Sequence, residues 1–466
     1  YCYHIDELKE ASSMNERYVC DMTKGNEVGL LLRFALPMLV GNIFQQLYNM
    51  VDSIIVGKFV GSNALGAVGA VGNLNFLFFS LCLGLASGIG ILISQFFGAG
   101  KDDYVKKIIA NSVYIITISG AVMSIISFVF ARPILHLMNT PAENMEDAVI
   151  YMQIVCGATV IVAIYNGISS ILRALGDSKT PLIFLIVSSF INVGLDLLFV
   201  LVFHWGVAGA AWATVIAQLI SAIGSILFAL SRNPYLRLEK RHFTVDNDII
   251  KKSFQIGLPV AGQNAMIAFS CVALQSVVNN YGATVMAAYT ATSRVEQLVQ
   301  QPFGSLGTAV STFAGQNVGA GKYDRVSTSC KKSTLIVLVF SLMMIAVMFL
   351  FGDPIVRLFV NEPDVIEIGA RGLRITSFMY FALGMIYITR GMLNGVGDAA
   401  YAMINGLTEV VGRIGFAYLL MAIPAIGMWG VWYTNGLTWI LAGAAGIIRF
   451  FQGKWKTKSV VKDVAF

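Results

Sequence analysis

The sequence predicts an all-α polytopic membrane protein, with 12 transmembrane helices in two six-helix bundles related by a pseudo-two-fold axis along the membrane normal. Three observations predict it. The first is an internal duplication. Adding 221 to the numbers of Gly61, Gln95, Gly98, Gly100, Lys101, Pro133, Gly176, Asp177, Gly206 and Gly209 gives Gly282, Gln316, Gly319, Gly321, Lys322, Pro354, Gly397, Asp398, Gly427 and Gly430. One constant offset over matched glycines, prolines and loop charges marks tandem copies of one unit. The second is composition: 56% hydrophobic and 12% charged residues with a mean hydropathy of +0.72, against about a quarter charged in soluble chains. The third is a series of apolar runs, six in each copy.

A helix crossing the hydrocarbon layer needs about 20 apolar residues. The first copy supplies such runs at 30–56, 64–95, 108–131, 148–172, 180–203 and 207–230. The second supplies them at 253–278, 285–314, 333–352, 366–392, 402–421 and 427–450. Six is even, so each copy begins and ends on the same side and the copies are parallel repeats. The expected organisation is a tail over 1–29, a lobe over 30–230, a connector over 231–252, a second lobe over 253–450 and a tail over 451–466. Residues 1–29 are polar, and the first apolar run is too long for a cleavable leader and continues as a spanning helix. Two membrane-embedded repeats meeting at an interface are the plan of a secondary transporter.

Lys and Arg set the orientation. Lys101, Lys106, Lys107, Arg173, Lys179, Arg232, Arg237, Lys240, Arg241, Lys251, Lys252, Lys322, Arg325, Lys331, Lys332, Lys454, Lys456 and Lys458 fall on one side, and only Lys58, Arg132 and Arg357 on the other. The tails and the connector are therefore expected in the cytoplasm. The net charge of +6 reflects this sidedness rather than affinity for nucleic acid.

Cys82, Cys156 and Cys271 fall in apolar spans and Cys330 in a basic loop, which reads as packing rather than a disulfide framework. The four histidines are scattered, so no transition-metal site is expected. No GxxxxGK[ST] loop, HExxH motif or nucleophile-and-base pair suggests an enzyme or ATP use.

An ionisable residue at mid-membrane costs about 2.5–3.5 kcal/mol, so each one is a functional candidate. The first lobe holds Asp52 and Asp196. Asn42, Gln45, Asn49 and Asp52 follow spacings of three, four and three, placing them on one face of the first span. Ser188, Asn192 and Asp196 recur every fourth residue on the fifth span, and Thr214, Gln218, Ser221 and Ser225 stripe the sixth. At 1.5 Å per residue, Asp196 and Thr214 lie about 10 Å below the outer surface, with Asp52 somewhat shallower. The three stripes can converge. Two carboxylates among amide and hydroxyl oxygens, with no base nearby, suit a proton or a hard cation. The competing reading is interhelical hydrogen bonding, which weighs most for Gln45, Ser188 and Gln218.

The second lobe differs. Arg294 and Glu296 lie on the eighth span, and Glu409 and Arg413 are four apart on the eleventh, a spacing that permits an ion pair. Paired charges favour a structural network, with substrate contact as the alternative. Under the 221 offset Asn192 matches Arg413, and Asp196 matches Ala417. Pro37 and Pro259 interrupt the first and seventh spans at matching places. With Gly41 one turn beyond Pro37, the first span is the candidate hinge, a static bend being the alternative.

The run from Leu36-Pro37 to Asp52-Ser53, the segment from Gln95 to Lys101 with its partner from Gln316 to Lys322, and the loop Arg173-Ala174-Leu175-Gly176-Asp177 resemble the multidrug and toxic compound extrusion (MATE) family of antiporters, over about residues 30–450. The resemblance implies a V-shaped pair of bundles exporting amphipathic, often cationic compounds in exchange for Na⁺ or H⁺. It implies that Asp52, Asn192, Asp196 and Thr214 form the Na⁺ or proton site, and that Gln45 and Tyr48 line the first-lobe cavity. Asn49, Asn166 and Gln218 are taken as further cavity residues. The chain departs from a branch with functional acids on helices seven and ten, where Ile267 and Leu383 stand here. The implied setting is a bacterial inner membrane, with membrane lipids and small amphipathic molecules as partners, no cofactor beyond the coupling ion, and a monomer. A flippase for a lipid-linked saccharide or other polyprenyl lipid is the alternative, although its cavity would need unpaired Arg or Lys where this first lobe carries acids.

Overall fold

The computed structural model describes residues 19–138, 140 and 142–463. Residues 1–18 of the expected first tail and 464–466 of the last lie outside the described residues. The helices of the first copy are α1 (Glu27–Ile55), α2 (Ser62–Gly98), α3 (Asp102–Val129), α4 (Ala131–Leu137), α5 (Ala142–Val155), α6 (Thr159–Ala174), α7 (Lys179–Asp196) and α8 (Gly206–Arg232). The second copy follows with α9 (Asn247–Val278), α10 (Ala283–Gly319), α11 (Tyr323–Arg357), α12 (Pro363–Ser377), α13 (Tyr380–Gly395), α14 (Ala399–Met421) and α15 (Gly430–Gln452).

Among the described residues seven segments are long and apolar enough to cross a membrane alone, and two bent pairs bring the number to nine. The pairs are α5 with α6, bent by 43°, and α12 with α13, bent by 53°. Their second members start at Thr159 and Tyr380, so the break recurs at the 221 offset. The remaining three, α10, α14 and α15, fill their expected runs but carry a heavier polar load, including buried Glu296, Glu409, Arg413, Thr434 and Asn435. Twelve spans result when each bent pair counts as one.

The duplication is visible in the backbone. Gly61 and Gly282, Gly100 and Gly321, Gly176 and Gly397, and Gly206 and Gly427 take φ of 130° and 86°, 68° and 72°, 89° and 91°, and 58° and 55°. Glycine alone reaches such angles without a Cβ penalty, so the same corners are turned in both copies. α2 and α10 are both 37 residues long.

Hydropathy misplaces helix ends, because it reports the lipid slab and not where hydrogen bonding stops. α11 starts at Tyr323, ten residues before its apolar run, so Cys330 is a buried helical residue and not part of a loop. Likewise α9 begins at Asn247, inside the expected connector, whose earlier part forms short 3-10 turns at Pro234–Leu236 and Lys240–Phe243.

The described chain forms two compact units. One contains the described residues of Leu36–Ala261 and those up to Asp21, the other Met22–Ala35 and the described residues from Gly262 onward. Thus α1 and α9 each start in one unit and continue into the other, the change falling beside Pro37 and Pro259, through which both helices run unbroken. The first unit's core gathers Val56, Ala67, Val71, Leu135, Met152, Val200 and Ala211. The second is centred on Leu274, Val278, Ala288 and Trp432. Gly391 and Gly307 bring α13 and α10 into backbone contact: a Cβ on Gly391 would lie 2.1 Å from the Gly307 carbonyl oxygen.

The stretches leading into α1 and α9 are strapped down in related ways. In the second unit Gln316 Oε1 accepts the Met22 amide at 2.8 Å, Lys322 donates to the Thr23 carbonyl at 2.9 Å, and Glu27 pairs with Arg325 and Lys332. In the first, Asn111 donates to the Thr244 carbonyl at 3.1 Å and accepts the Asp246 amide at 3.0 Å, while Lys107 pairs with Asp246 at 2.7 Å.

Candidate ion-coupling site

Three helices of the first unit supply the polar stripes. α1 carries Gln45, Tyr48, Asn49 and Asp52, α7 carries Ser188, Asn192 and Asp196, and α8 carries Thr214, Gln218 and Ser221. Gly41 sets α1 close to α7: a Cβ there would lie 3.2 Å from both Leu182 Cδ1 and Leu185 Cδ2. Beyond each acid the α-helix widens into a π-helical turn, Val56–Val60 after Asp52 and Leu197–Val202 directly after Asp196. Such turns appear frequently at functional sites.

The Asp52 and Asp196 carboxyls stand within hydrogen-bonding reach of each other. Asp196 is fully buried and Asn192 nearly so. Among the described residues, the Oδ1 atoms of both acids are buried without a hydrogen-bond partner. Among the described residues, no Lys, Arg or His nitrogen pairs with either acid. The amide of Asn192 bridges the group. Oriented to satisfy both neighbours, it donates to Asp196 Oδ2 at 3.3 Å and accepts the Thr214 amide at 3.3 Å; turned over, its nitrogen faces Thr214 Oγ1 at 3.4 Å. Asp52, Asn192, Asp196 and Thr214 are therefore gathered in one place.

The chemistry of this set is narrow. Two carboxyl groups can be joined by a hydrogen bond only through a proton, and two carboxylates at that range need a cation between them. The available donors are oxygens, which suit a proton or a hard monovalent ion. Among the described residues no group of three or more His, Cys, Asp or Glu could hold a metal.

The expected cavity residues divide. Tyr48 reaches Gln218, whose Oε1 is buried without a partner. Gln45 and Asn49 are exposed along α1. Asn166 spends its amide nitrogen on the Val162 carbonyl of its own helix at 2.9 Å. Ser188 and Ser221 donate to the carbonyls of Ala217 and Phe184, fastening α7 to α8. Tyr151 of α5, buried and within the electrostatic range of Asp52, Asp196 and Tyr48, was not singled out by sequence. One aromatic in an apolar run gives no signal of which charge it will face.

In the second unit, Arg413 Nη2 lies 3.8 Å from Glu409 Oε2, but the closer partner of Glu409 is Arg390 on α13, which spacing along α14 could not reveal. Among the described residues Arg294 and Glu296 do not join that network by an ion pair. Two residues apart on a helix, they point to nearly opposite sides: Arg294 is exposed, whereas Glu296 is buried beside Thr376 with Oε1 unpartnered.

The sequence profile of the MatE family matches residues 37–198 and again 259–419. The chain is 30% identical over 452 residues to the probable multidrug resistance protein YpnP of Bacillus subtilis, covering 95% of this chain and 99% of that protein. It is 28% identical over 437 residues to the probable multidrug resistance protein YoeA of the same organism, covering 92% and 94%. Its fold matches a MOP superfamily transporter of Pyrococcus furiosus with a TM-score of 0.88 at 23% identity, over 94% of this chain and 98% of that one. The chain belongs to the multidrug and toxic compound extrusion (MATE) family of multi-pass membrane transporters.

Proposed function

We propose that this chain is a secondary active antiporter that exports amphipathic, often cationic drugs or toxic compounds in exchange for Na⁺ or H⁺. The observation that carries the reading is the meeting of Asp52 and Asp196 with no basic ion-pair partner among the described residues. The names of the Bacillus relatives support export of many compounds. A cation or proton arriving at the two carboxyls joins them and removes negative charge from the stripes of α1, α7 and α8, which weakens the hold on a cationic substrate. Coupling requires that the two conformations differ in affinity for the ion, since equal affinity shifts nothing. One charge crossing about 150 mV supplies roughly 3.5 kcal/mol, enough for several-hundred-fold accumulation at about 1.4 kcal/mol per decade.

The test is dye efflux from everted membrane vesicles under an imposed pH gradient or an imposed Na⁺ gradient. The parent is expected to respond to one of them, and Asp52→Asn and Asp196→Asn to neither. Gradient-driven export that persists in both variants removes the coupling site.

A further inference from the structure

The second unit holds buried charge that the exchange proposed above does not use. Arg390 of α13 and Arg413 of α14 flank a single carboxylate, Glu409. Their other hydrogen bonds among the described residues go to neutral groups: Arg390 Nη2 donates to Asn405 Oδ1 at 3.0 Å, and Arg413 Nη1 faces Ser270 Oγ and Cys271 Sγ, each at 2.8 Å. Arginine stays protonated in proteins, so two guanidinium groups share one ion-paired carboxylate, and one of them has no ion-pair partner of its own among the described residues. Glu296 lies within the electrostatic range of Arg413 but forms no ion pair with it among the described residues. The Nε atoms of both Arg390 and Arg413 are buried without a hydrogen-bond partner among the described residues. A buried guanidinium with no ion-pair partner of its own and with unused donors is costly, and an oxyanion offsets both deficits at once.

The duplication sharpens the point. At the 221 offset the first copy has Ser169, Ser188 and Asn192 where the second has Arg390, Glu409 and Arg413, and the second has Ala273 and Ala417 where the first has Asp52 and Asp196. One structural position therefore sits beside an acid pair in one copy and carries a guanidinium in the other. Cys271, which Arg413 touches, is exposed.

We propose that Arg390 and Arg413 form a receiving site for a carboxylate, so that the second unit selects zwitterionic amphiphiles bearing that group among the compounds exported. This refines the export reading and rests on it for the identity of the ligand as cargo.

The test is equilibrium binding, followed by fluorescence polarisation, of a rhodamine dye with a free carboxylate and of its methyl ester, which keeps the cation and loses the anion. Both are titrated into the detergent-purified full chain at neutral pH. The parent is expected to bind the acid about ten-fold tighter than the ester. Arg413→Gln is expected to bring that ratio to about one, with Arg413→Lys, which keeps the charge and loses the fork, in between. Equal affinity of acid and ester for the parent, or a preference for the acid that survives Arg413→Gln, overturns the site. Equal affinity for the parent overturns the site with no substitution at all, and should Arg413→Gln fail to fold, the same loss of preference is read on Arg413→Lys, which keeps the charge and loses the fork. Binding is read without transport, so a chain that binds the acid selectively yet shows no gradient-driven efflux would sink the exchange reading alone.

Discussion

Lys332 Nζ holds Glu27 Oε2 at 2.8 Å, fastening the first residue of α1 to α11, while Arg325 Nη1 takes the other oxygen at 3.1 Å. The same helix continues into the other unit and carries Asp52. Glu27→Gln removes the charge from this clasp and leaves both cations short of a partner. Its expected cost is about 1–2 kcal/mol for a part-buried charged bond. The measurement is the thermal midpoint in detergent together with the rate of tryptic cleavage at Lys24, which should fall and rise respectively. No change in either would show that the clasp contributes nothing.

The Lys107–Asp246 pair gives a pH signature. Burial pushes the Asp246 carboxyl up, but the Lys107 hydrogen bond, the amides of Ile249 and Asp248 and the Lys107 charge outweigh it and hold the group below the ordinary carboxylate range. The folded chain therefore binds this proton less readily than the unfolded chain. The stabilisation is complete above the unfolded value of about 3.9 and is lost as pH falls through the lower folded value. Below about pH 4 the thermal midpoint of the parent should drop more steeply than that of Asp246→Asn, which has no such titration. Parallel curves would reject the linkage.

If Asp52 and Asp196 act as one unit, their removal should not be additive. Each single Asn variant is expected to abolish the ion dependence of efflux, and the double variant to be no worse than either. Partial losses that add on a logarithmic scale would mean two independent sites.

At Gly391 the neighbour is backbone, so no side chain can give way to a new Cβ. Gly391→Ala should force α13 away from α10 and cost about 1–3 kcal/mol. Gly29→Ala is the control, since nothing lies within 4 Å of a Cβ there. A Gly391→Ala midpoint equal to that of the control would show that the two helices can part at no expense.

The spans and the acid site were legible because their signals are periodic or chemical. Apolar length marks each crossing, and Asp52, Asn192, Asp196 and Thr214 fall on faces that converge. What escaped was information carried between segments far apart in the chain. Arg390 precedes Glu409 by nineteen positions and sits on another helix, and no spacing rule ties them. Helix ends escaped for a different reason. The first turns of α11 are charged and lie outside the apolar run, yet they continue the same hydrogen-bonded spiral.

The left-handed glycines at 61, 100, 176 and 206 and their partners at 282, 321, 397 and 427 stand at chain corners, apart from the helix faces that bear Asp52 and Asp196 or Arg390 and Arg413. Instructions for bending the chain are thus stored separately from instructions for what it attracts. One half can exchange carboxylates for guanidinium groups while its corners stay as they were, so an ancient doubling can yield two unlike chemistries on a single scaffold.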